Sequence, residues 1–425
     1  MKILIQNGRL LDPASGIDQI MDILIEDKKI IKRGEHLTEE AERVVDASGC
    51  FVMPGLIDLH VHLRDPGLTH KEDIETGTKA AARGGVTTVC AMPNTKPVVD
   101  SRETLEYIYK KASEKGSARV LQLSAFTKGM EGKELVDIDE MIEAGAAAFS
   151  EDGKSVMDIC LYEKALEELA KRDMLVMAHC EDKNLVGKGV LNKGVASKKY
   201  NVPGIENAVE DIITARDIFL SNETKVRLHL CHCSTKGVVE LIKMAKSMGI
   251  QVTGEVCPHH FILTDADIKE ADGNYKMNPP LRTREDVDAL IEGLRDGIID
   301  AISTDHAPHH ESEKGSDFTK CAFGIVGLET SASLTYTYLV KTGVLTPLQM
   351  AEKMSANPAK ILKRNDIGSL QEGKMADVLI FDPNVEYKID KNDFASKAQN
   401  TPFDGMDVTG QVKMTIFEGN IVYEA

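Results

Sequence analysis

The sequence predicts an α/β protein: a parallel (β/α)8, TIM-type barrel with a small β domain assembled from both chain ends. Three observations predict it. Short alternating strand-like runs occupy both ends of the chain. From about Pro54 to Leu362, eight apolar strand-like runs alternate with amphipathic helical stretches. No Gly-x-Gly-x-x-Gly follows the first of those runs, so an open doubly wound sheet lacks its usual mark.

The elements follow in order. Ile3–Gly8, Ile20–Ile25, Ile30-Ile31 and Arg43–Asp46 read as strands between polar turns. At the other end, Ala376–Phe381 and Val412–Phe417 alternate like half-buried strands, and Gly419-Asn420 marks a hairpin before Ile421-Val422-Tyr423. These ends predict a sandwich-like β domain of residues 1–52 plus 365–425, with the barrel spanning 53–364. The barrel strands are expected at Gly55–His62, Val86–Met92, Val120–Ala125, Ala146–Ser150, Leu175–His179, Val226–His232, Gln251–Val256 and Asp300–Thr304. Two of the intervening helices show a clear apolar face. Met157–Lys171 aligns Leu161, Ala165, Leu166 and Leu169; Val238–Met248 aligns Leu241, Ile242, Ala245 and Met248.

Composition narrows the class. With 425 residues and 42% hydrophobic content, the chain can bury a large core. It carries 68 acids against 51 bases, a net charge of -17, with no basic block of the kind nucleic acid needs. Its 8 cysteines lie in apolar runs such as Val89-Cys90-Ala91, the pattern of reduced thiols. Met1–Ile5 turns polar too soon for a signal peptide, and no apolar run reaches the ~18 residues of a membrane span. A soluble cytoplasmic protein is expected.

The polar residues that carry chemistry sit where predicted strands end, the face on which such barrels build their sites. His60-Val61-His62 closes the first strand, and residues two apart share a face. Asp152 follows the fourth strand, His179 ends the fifth, His232 the sixth and Asp305 the eighth. His229, at an odd offset from His232, is expected on the opposite barrel face. Cys231 and Cys233 are expected to point away from His232, which favours a nitrogen/oxygen site over a thiolate one. An acid at the end of a buried strand is costly unless paired or metal-bound. Four imidazoles and two carboxylates at strand ends suit two divalent ions; the donor set favours zinc and leaves manganese and iron open.

Two stretches, Pro54–His62 and Thr304-Asp305-His306-Ala307-Pro308-His309, resemble the signatures of the amidohydrolase superfamily and, within it, of the cyclic amidohydrolases. Gly373–Asp377 resembles that group's return into its β domain. Leu63-Arg64-Asp65-Pro66-Gly67, Ala91–Thr95 and Met277–Arg282 are similar to the bacterial-type dihydroorotase branch. The resemblance implies reversible hydrolysis of a cyclic amide, dihydroorotate, to carbamoyl-aspartate in pyrimidine synthesis. It implies zinc held by His60, His62, His179 and His232, with Asp152 bridging and Asp305 as both ligand and proton shuttle. It implies Arg64, Asn94 and His309 on the substrate carboxylate, Asn278 on the ring amide, and backbone at Phe323-Gly324 completing the pocket. It also implies a homodimer and an association with aspartate transcarbamoylase.

Many relatives bridge their metals through a carboxylated lysine after the fourth strand. Here Asp152 stands there, and Lys154, beyond Gly153, is the fallback. The charged, glycine-containing loop from His309 to Phe323 is a candidate lid. His259, His260 and His306 are expected to be structural or to stand behind the ligands. Two other readings compete. A hydantoinase or allantoinase would use the same metals on a ring without a carboxylate, which leaves Arg64 unexplained. A catalytically dead scaffold would not need all six candidate ligands.

Overall fold

The computed structural model describes residues 1–425. Both ends of the chain meet in one eight-stranded sheet. Its order is Asn420–Glu424, Asp407–Phe417, Val378–Lys388, Phe51–Pro54, Lys2–Asp12, Ile17–Glu26 and Lys29–Gly34, with Arg43–Asp46 also pairing on Lys2–Asp12. Phe51–Pro54 is the hinge of this sheet. It runs parallel to Lys2–Asp12 (Arg9 opposite Phe51) and antiparallel to Val378–Lys388 (Phe51 opposite Phe381). The period-2 pattern sorts the faces. Ile3, Ile5, Ile23, Ile25, Val52, Val378, Ile380 and Ile416 share one buried cluster, while Leu4, Leu24 and Leu37 form a smaller one. The final hairpin turns at Glu418 (φ 48°) and Gly419 (φ 74°), both left-handed, as tight hairpins require. A Cβ on Gly419 would lie 1.5 Å from the Asp27 carbonyl oxygen, so that position also serves close packing.

The middle of the chain pairs in parallel. Leu56–Val61, Val86–Ala91 and Arg119–Gln122 form one run; Leu175–Ala178, Arg227–Leu230, Val252–Val256 and Ala301-Ile302 form another. Parallel bridges join the two runs on both sides: Ser124–Phe149 and Phe149–Val176 on one, Val61–His306 on the other. The pairing therefore closes a ring of eight parallel segments. The fourth is the shortest, reduced to a single bridged residue, Phe149, though Ala147, Phe149 and Ser150 still donate their amides to neighbouring strands.

The expected helices form slightly trimmed. Ile159–Ala170 is capped by Asp158, whose carboxylate accepts from the Leu161 amide; it buries Tyr162, Ala165, Leu166 and Leu169, and Leu161 is half-buried. Lys236–Ser247, capped by Thr235, buries Val238, Val239, Ile242 and Ala245. Met248 departs from expectation: it is the C-cap and is 58% exposed, because the helical phase ends one residue before it.

Two apolar clusters separate the faces of the ring. Val89, Ala91, Val176, Leu228 and Leu230 join the 73-residue cluster that includes the helices. The alternate residues Cys90, Met92, Leu175, Met177 and Cys231, with Leu123, Ala148 and Ala301, form a 13-residue inner cluster. Seven of the eight free cysteines are buried and Cys160 is exposed. No helix is long and apolar enough to cross a membrane.

Candidate metal centre and substrate cavity

The strand ends deliver their side chains to one point. His60 Nε2 lies 3.3 Å from Asp152 Oδ1 and 3.6 Å from Asp305 Oδ1. His62 Nε2 lies 3.1 Å from Asp305 Oδ1 and 3.6 Å from Asp152 Oδ2. On the other side of Asp152, His179 Nδ1 and His232 Nε2 approach to 3.0 Å and stand 3.6 and 3.7 Å from its Oδ1. His60, His62 and Asp305 form one cluster of ligand atoms within 4.8 Å; His60, Asp152 and His232 form a second. All six side chains are buried.

Such crowding is unfavourable for a bare protein. Both nitrogens of His60, Nε2 of His179 and Nδ1 of His232 are buried without a hydrogen-bond partner. Burial works to raise the Asp152 carboxyl, but His60, His232 and His62 outweigh it and hold the group well below its ordinary range. Asp305 is lowered in the same way against its burial, chiefly by His62 and His60. Burial holds His62 and His232 below the ordinary imidazole value. At His60 and His179 burial works the same way, but Asp152 at His60, and Glu181 with Asp152 at His179, outweigh it and raise both rings. A divalent cation would displace those protons and take imidazole and carboxylate as its donor set.

Backbone strain helps aim the site. Arg64 (φ 58°), His232 (φ 35°) and Asp305 (φ 48°) all adopt left-handed conformations that β-strand continuation forbids. At His232 this overturns an expectation. The positive φ breaks strand alternation and turns the ring inward, although Leu228 and Leu230, of the same parity, face outward. His229 and Cys231 therefore face inward as well, beneath the ligands. His229 Nε2 lies 3.2 Å from Glu255 Oε2, and Cys231 groups with His60 and Glu255. Burial pushes the Cys231 thiol up to about 12, so it remains protonated and a poor ligand.

A cavity of about 250 Å³ opens above the cluster. Its lining includes His62, Asp152, His179, His232 and Asp305 together with Arg64, Asn94, Asn278, His309, Phe323 and Gly324, so every expected site residue except the deeper His60 borders it. Arg64 is 9% exposed. Its Nε donates to the Pro308 carbonyl at 3.2 Å and its Nη2 lies 3.3 Å from His309 Nε2; neither neighbour is an anion. His309 Nε2 donates to the Phe323 carbonyl at 2.8 Å, which leaves Nδ1 to accept from Lys71 Nζ at 3.2 Å. Burial and the Arg64 charge hold His309 down to about 2, so it is neutral. Asn94 faces two ligands: Oδ1 accepts from His62 Nδ1 at 2.9 Å and Nδ2 donates to Asp152 Oδ2 at 3.1 Å. Asn278 Nδ2 donates to Glu181 Oε2 at 2.6 Å. Since Glu181 can only accept, the Asn278 carbonyl oxygen is the end left for a ligand.

Lys154 is exposed and stands outside this constellation. The loop expected to act as a lid is anchored from within. Lys314 Nζ donates to the carbonyls of Lys276 (3.0 Å), Ala322 (2.8 Å) and Gly324 (2.8 Å). His260 Nε2 donates to the Pro279 carbonyl at 2.9 Å, and His306 Nδ1 accepts from the Gly327 amide at 3.2 Å; neither borders the cavity, nor does His259. Sequence reasoning missed Glu181, Lys71 and Glu255. Of these, Glu255 left a readable signal, an acid inside the apolar strand Val252-Thr253-Gly254-Glu255-Val256.

The chain belongs to the amidohydrolase family, whose model matches residues 51–422. Within that family it falls among the dihydroorotases. A protein of that name from Acetivibrio thermocellus is 48% identical, over 99% of this chain and 98% of the relative. Another from Geobacter metallireducens is 47% identical over the full length of both. Among solved structures, the L-hydantoinase of Arthrobacter aurescens superposes with a TM-score of 0.89 at 29% identity, over 99% of this chain and 96% of that one. The dihydropyrimidinase of Brevibacillus agri reaches 0.87 at 25%, over 100% and 95%.

Proposed function

We propose that this chain is a dihydroorotase, which reversibly hydrolyses the cyclic amide of dihydroorotate to carbamoyl-aspartate in pyrimidine biosynthesis. The observation that carries the reading is Arg64, a buried guanidinium with no carboxylate partner at the wall of a cavity lined by metal-ligand side chains. An anionic ring supplies the missing partner. The hydantoinase-like fold favours a second reading, a neutral cyclic ureide as substrate, and Arg64 argues against it.

His60, His62, Asp152 and Asp305 would hold one ion, and His179, His232 and Asp152 a second. A divalent ion supplies a hydrolytic water of lowered pKa and a Lewis acid for the carbonyl. Asp305 takes the proton of the attacking water on its carboxylate and passes it to the departing ring nitrogen; ring closure reverses the transfer. Arg64 holds the ring carboxylate, with His309 contributing once its Nε2 hydrogen turns from the Phe323 carbonyl and Asn94 once its Nδ2 turns from Asp152. Asn278 accepts the ring N–H at its free carbonyl oxygen, and the backbone at Phe323-Gly324 closes the pocket. Gly324 (φ 122°) suits this place, since a Cβ there would meet Ala307 Cβ at 2.5 Å.

With this reading go two zinc ions per chain, a cytoplasmic location, a homodimer and an association with aspartate transcarbamoylase. On this reading the ring is a (β/α)8 barrel; the boundary expected after residue 52 falls inside the strand Phe51–Pro54 of the terminal sheet, so the barrel takes residues 55–364 and the β domain 1–54 plus 365–425. The deciding experiment follows dihydroorotate in the ultraviolet with metal content measured on the same preparation. Turnover faster on hydantoin than on dihydroorotate transfers the function to the second reading.

A further inference from the structure

We propose that Glu255 is a positioning residue of the metal centre, fixing the His60 ring and the His232 backbone so that both imidazoles present a ligand nitrogen to the same space. The proposal rests on the reading above that His60 and His232 hold metal.

Glu255 is fully buried near the end of an apolar strand, where a carboxylate must be matched by donors. The groups that reach it are histidines. His60 Nδ1 stands 3.4 Å from Oε1, and His229 Nε2 stands 3.2 Å from Oε2. The His232 backbone N–H also points to Oε1 at 3.4 Å, and the next amide, Cys233, donates to the Glu255 carbonyl at 2.8 Å. Glu255 thus holds two consecutive amides across the residue whose φ of 35° turns the His232 ring inward.

The geometry favours one arrangement of the ring hydrogens. An ionised carboxylate only accepts. At 3.4 Å the His60 Nδ1 contact is a close approach short of a hydrogen bond, and a hydrogen placed on Nδ1 toward Glu255 leaves a lone pair on Nε2, the atom aimed at Asp152 and Asp305. His229 carries its hydrogen on Nε2 and accepts the Thr253 hydroxyl at Nδ1, 2.8 Å away. The Thr253 hydroxyl also lies 3.5 Å from the Leu228 carbonyl, a second acceptor for its hydrogen. No lysine or arginine lies against Glu255; the groups that meet its carboxylate are the two histidine rings and the His232 amide. The other ligand rings use milder versions of this device, His62 on Asn94 (2.9 Å) and His179 on Glu181 (3.9 Å). Asn94 likewise reaches two ligands, His62 and Asp152, but Glu255 is the group that meets a ligand ring and the backbone of a second ligand together.

The test compares wild type, Glu255→Met and Glu255→Gln as full-length proteins. Zinc affinity is measured by competition with a chelator, and imidazole tautomers by nitrogen-15 NMR on zinc-loaded wild type. Glu255→Met should bind zinc roughly 10–100-fold more weakly, the usual cost of losing such a partner. Glu255→Gln keeps one acceptor oxygen for His60 and should recover most of that loss, while His229 adapts by changing tautomer. His60 in wild type should be protonated at Nδ1. A purely structural role would lower the melting temperature of the metal-free protein and leave zinc affinity unchanged, which overturns the proposal. So does a His60 ring protonated at Nε2, a result independent of whether Glu255→Met folds. A wild type that takes up no zinc removes the metal reading itself; a loaded wild type with an equally loaded Glu255→Met removes only this inference.

Discussion

Replacing Arg64 by Met tests the substrate assignment most directly. The side chain is 9% exposed, so little water stands ready to replace the contact it loses. Its Nε donates to the Pro308 carbonyl and its Nη2 lies against the neutral His309 ring, which leaves the guanidinium charge for the ligand. A charge-assisted contact of this kind is worth about 1.5–3 kcal/mol. Since about 1.4 kcal/mol is tenfold, kcat/KM for dihydroorotate should fall roughly 10- to 10²-fold. Methionine preserves much of the apolar stem, so the cavity wall stays in place. Lys71, behind His309 at 3.2 Å, leaves some positive charge nearby and keeps the loss from growing far beyond this. A neutral ring such as dihydrouracil presents no carboxylate and should change far less. The assay is kcat/KM on both substrates for wild type and variant, with metal content measured in each. Equal losses on both rings refute the reasoning and make Arg64 a support of the metal site.

Asp305→Asn should retain metal and lose turnover by on the order of 10²–10⁴-fold, because an amide cannot carry the proton; normal kinetics would exclude the role. Asp152→Ala should lose one or both ions by elemental analysis while Lys154→Ala keeps them, as expected from an exposed Lys154; the opposite pattern moves the bridge to the lysine. Arg282, fully buried, contacts Glu210 (3.3 Å), Ser234 (3.1 Å) and the Ile205 carbonyl (3.1 Å). Arg282→Met should destabilise by about 3–5 kcal/mol in denaturant unfolding, because it strands a buried carboxylate. Adding Glu210→Gln should recover part of that loss, and no recovery would show that the arginine serves packing alone.

The ring was legible because its strands are apolar runs bounded by turns, and seven of the eight appear within a few residues of expectation. The fourth was legible only as position: three residues suffice for its pairing, too few to show a pattern. The candidate ligands were legible because polar residues at the ends of apolar strands are costly without a purpose. Their orientation was less so. Alternation is a property of extended backbone, and the left-handed turn at His232 is invisible in composition; this is why His229 and Cys231 were assigned to the wrong side. Glu181 and Lys71 were missed because each acts through a partner more than 90 residues away in the chain, Asn278 or His309, and no local pattern reports such a pairing.

The mixed sheet at the chain ends also sets an order of events during synthesis. Phe51 and its partner Phe381 are separated by 381 − 51 = 330 residues. At about 5–20 residues per second, a ribosome takes roughly 16–66 s to supply the second after the first. Throughout that interval Phe51–Pro54 lacks one neighbour and presents an open backbone edge. Leu56–Val61, which carries His60, continues from this strand after a single glycine, and it too must wait for the Val61–His306 bridge. The strand that begins the ring is therefore among the last to be enclosed. Early-made polypeptide of this protein is the stretch most exposed to chaperones, proteases and mispairing.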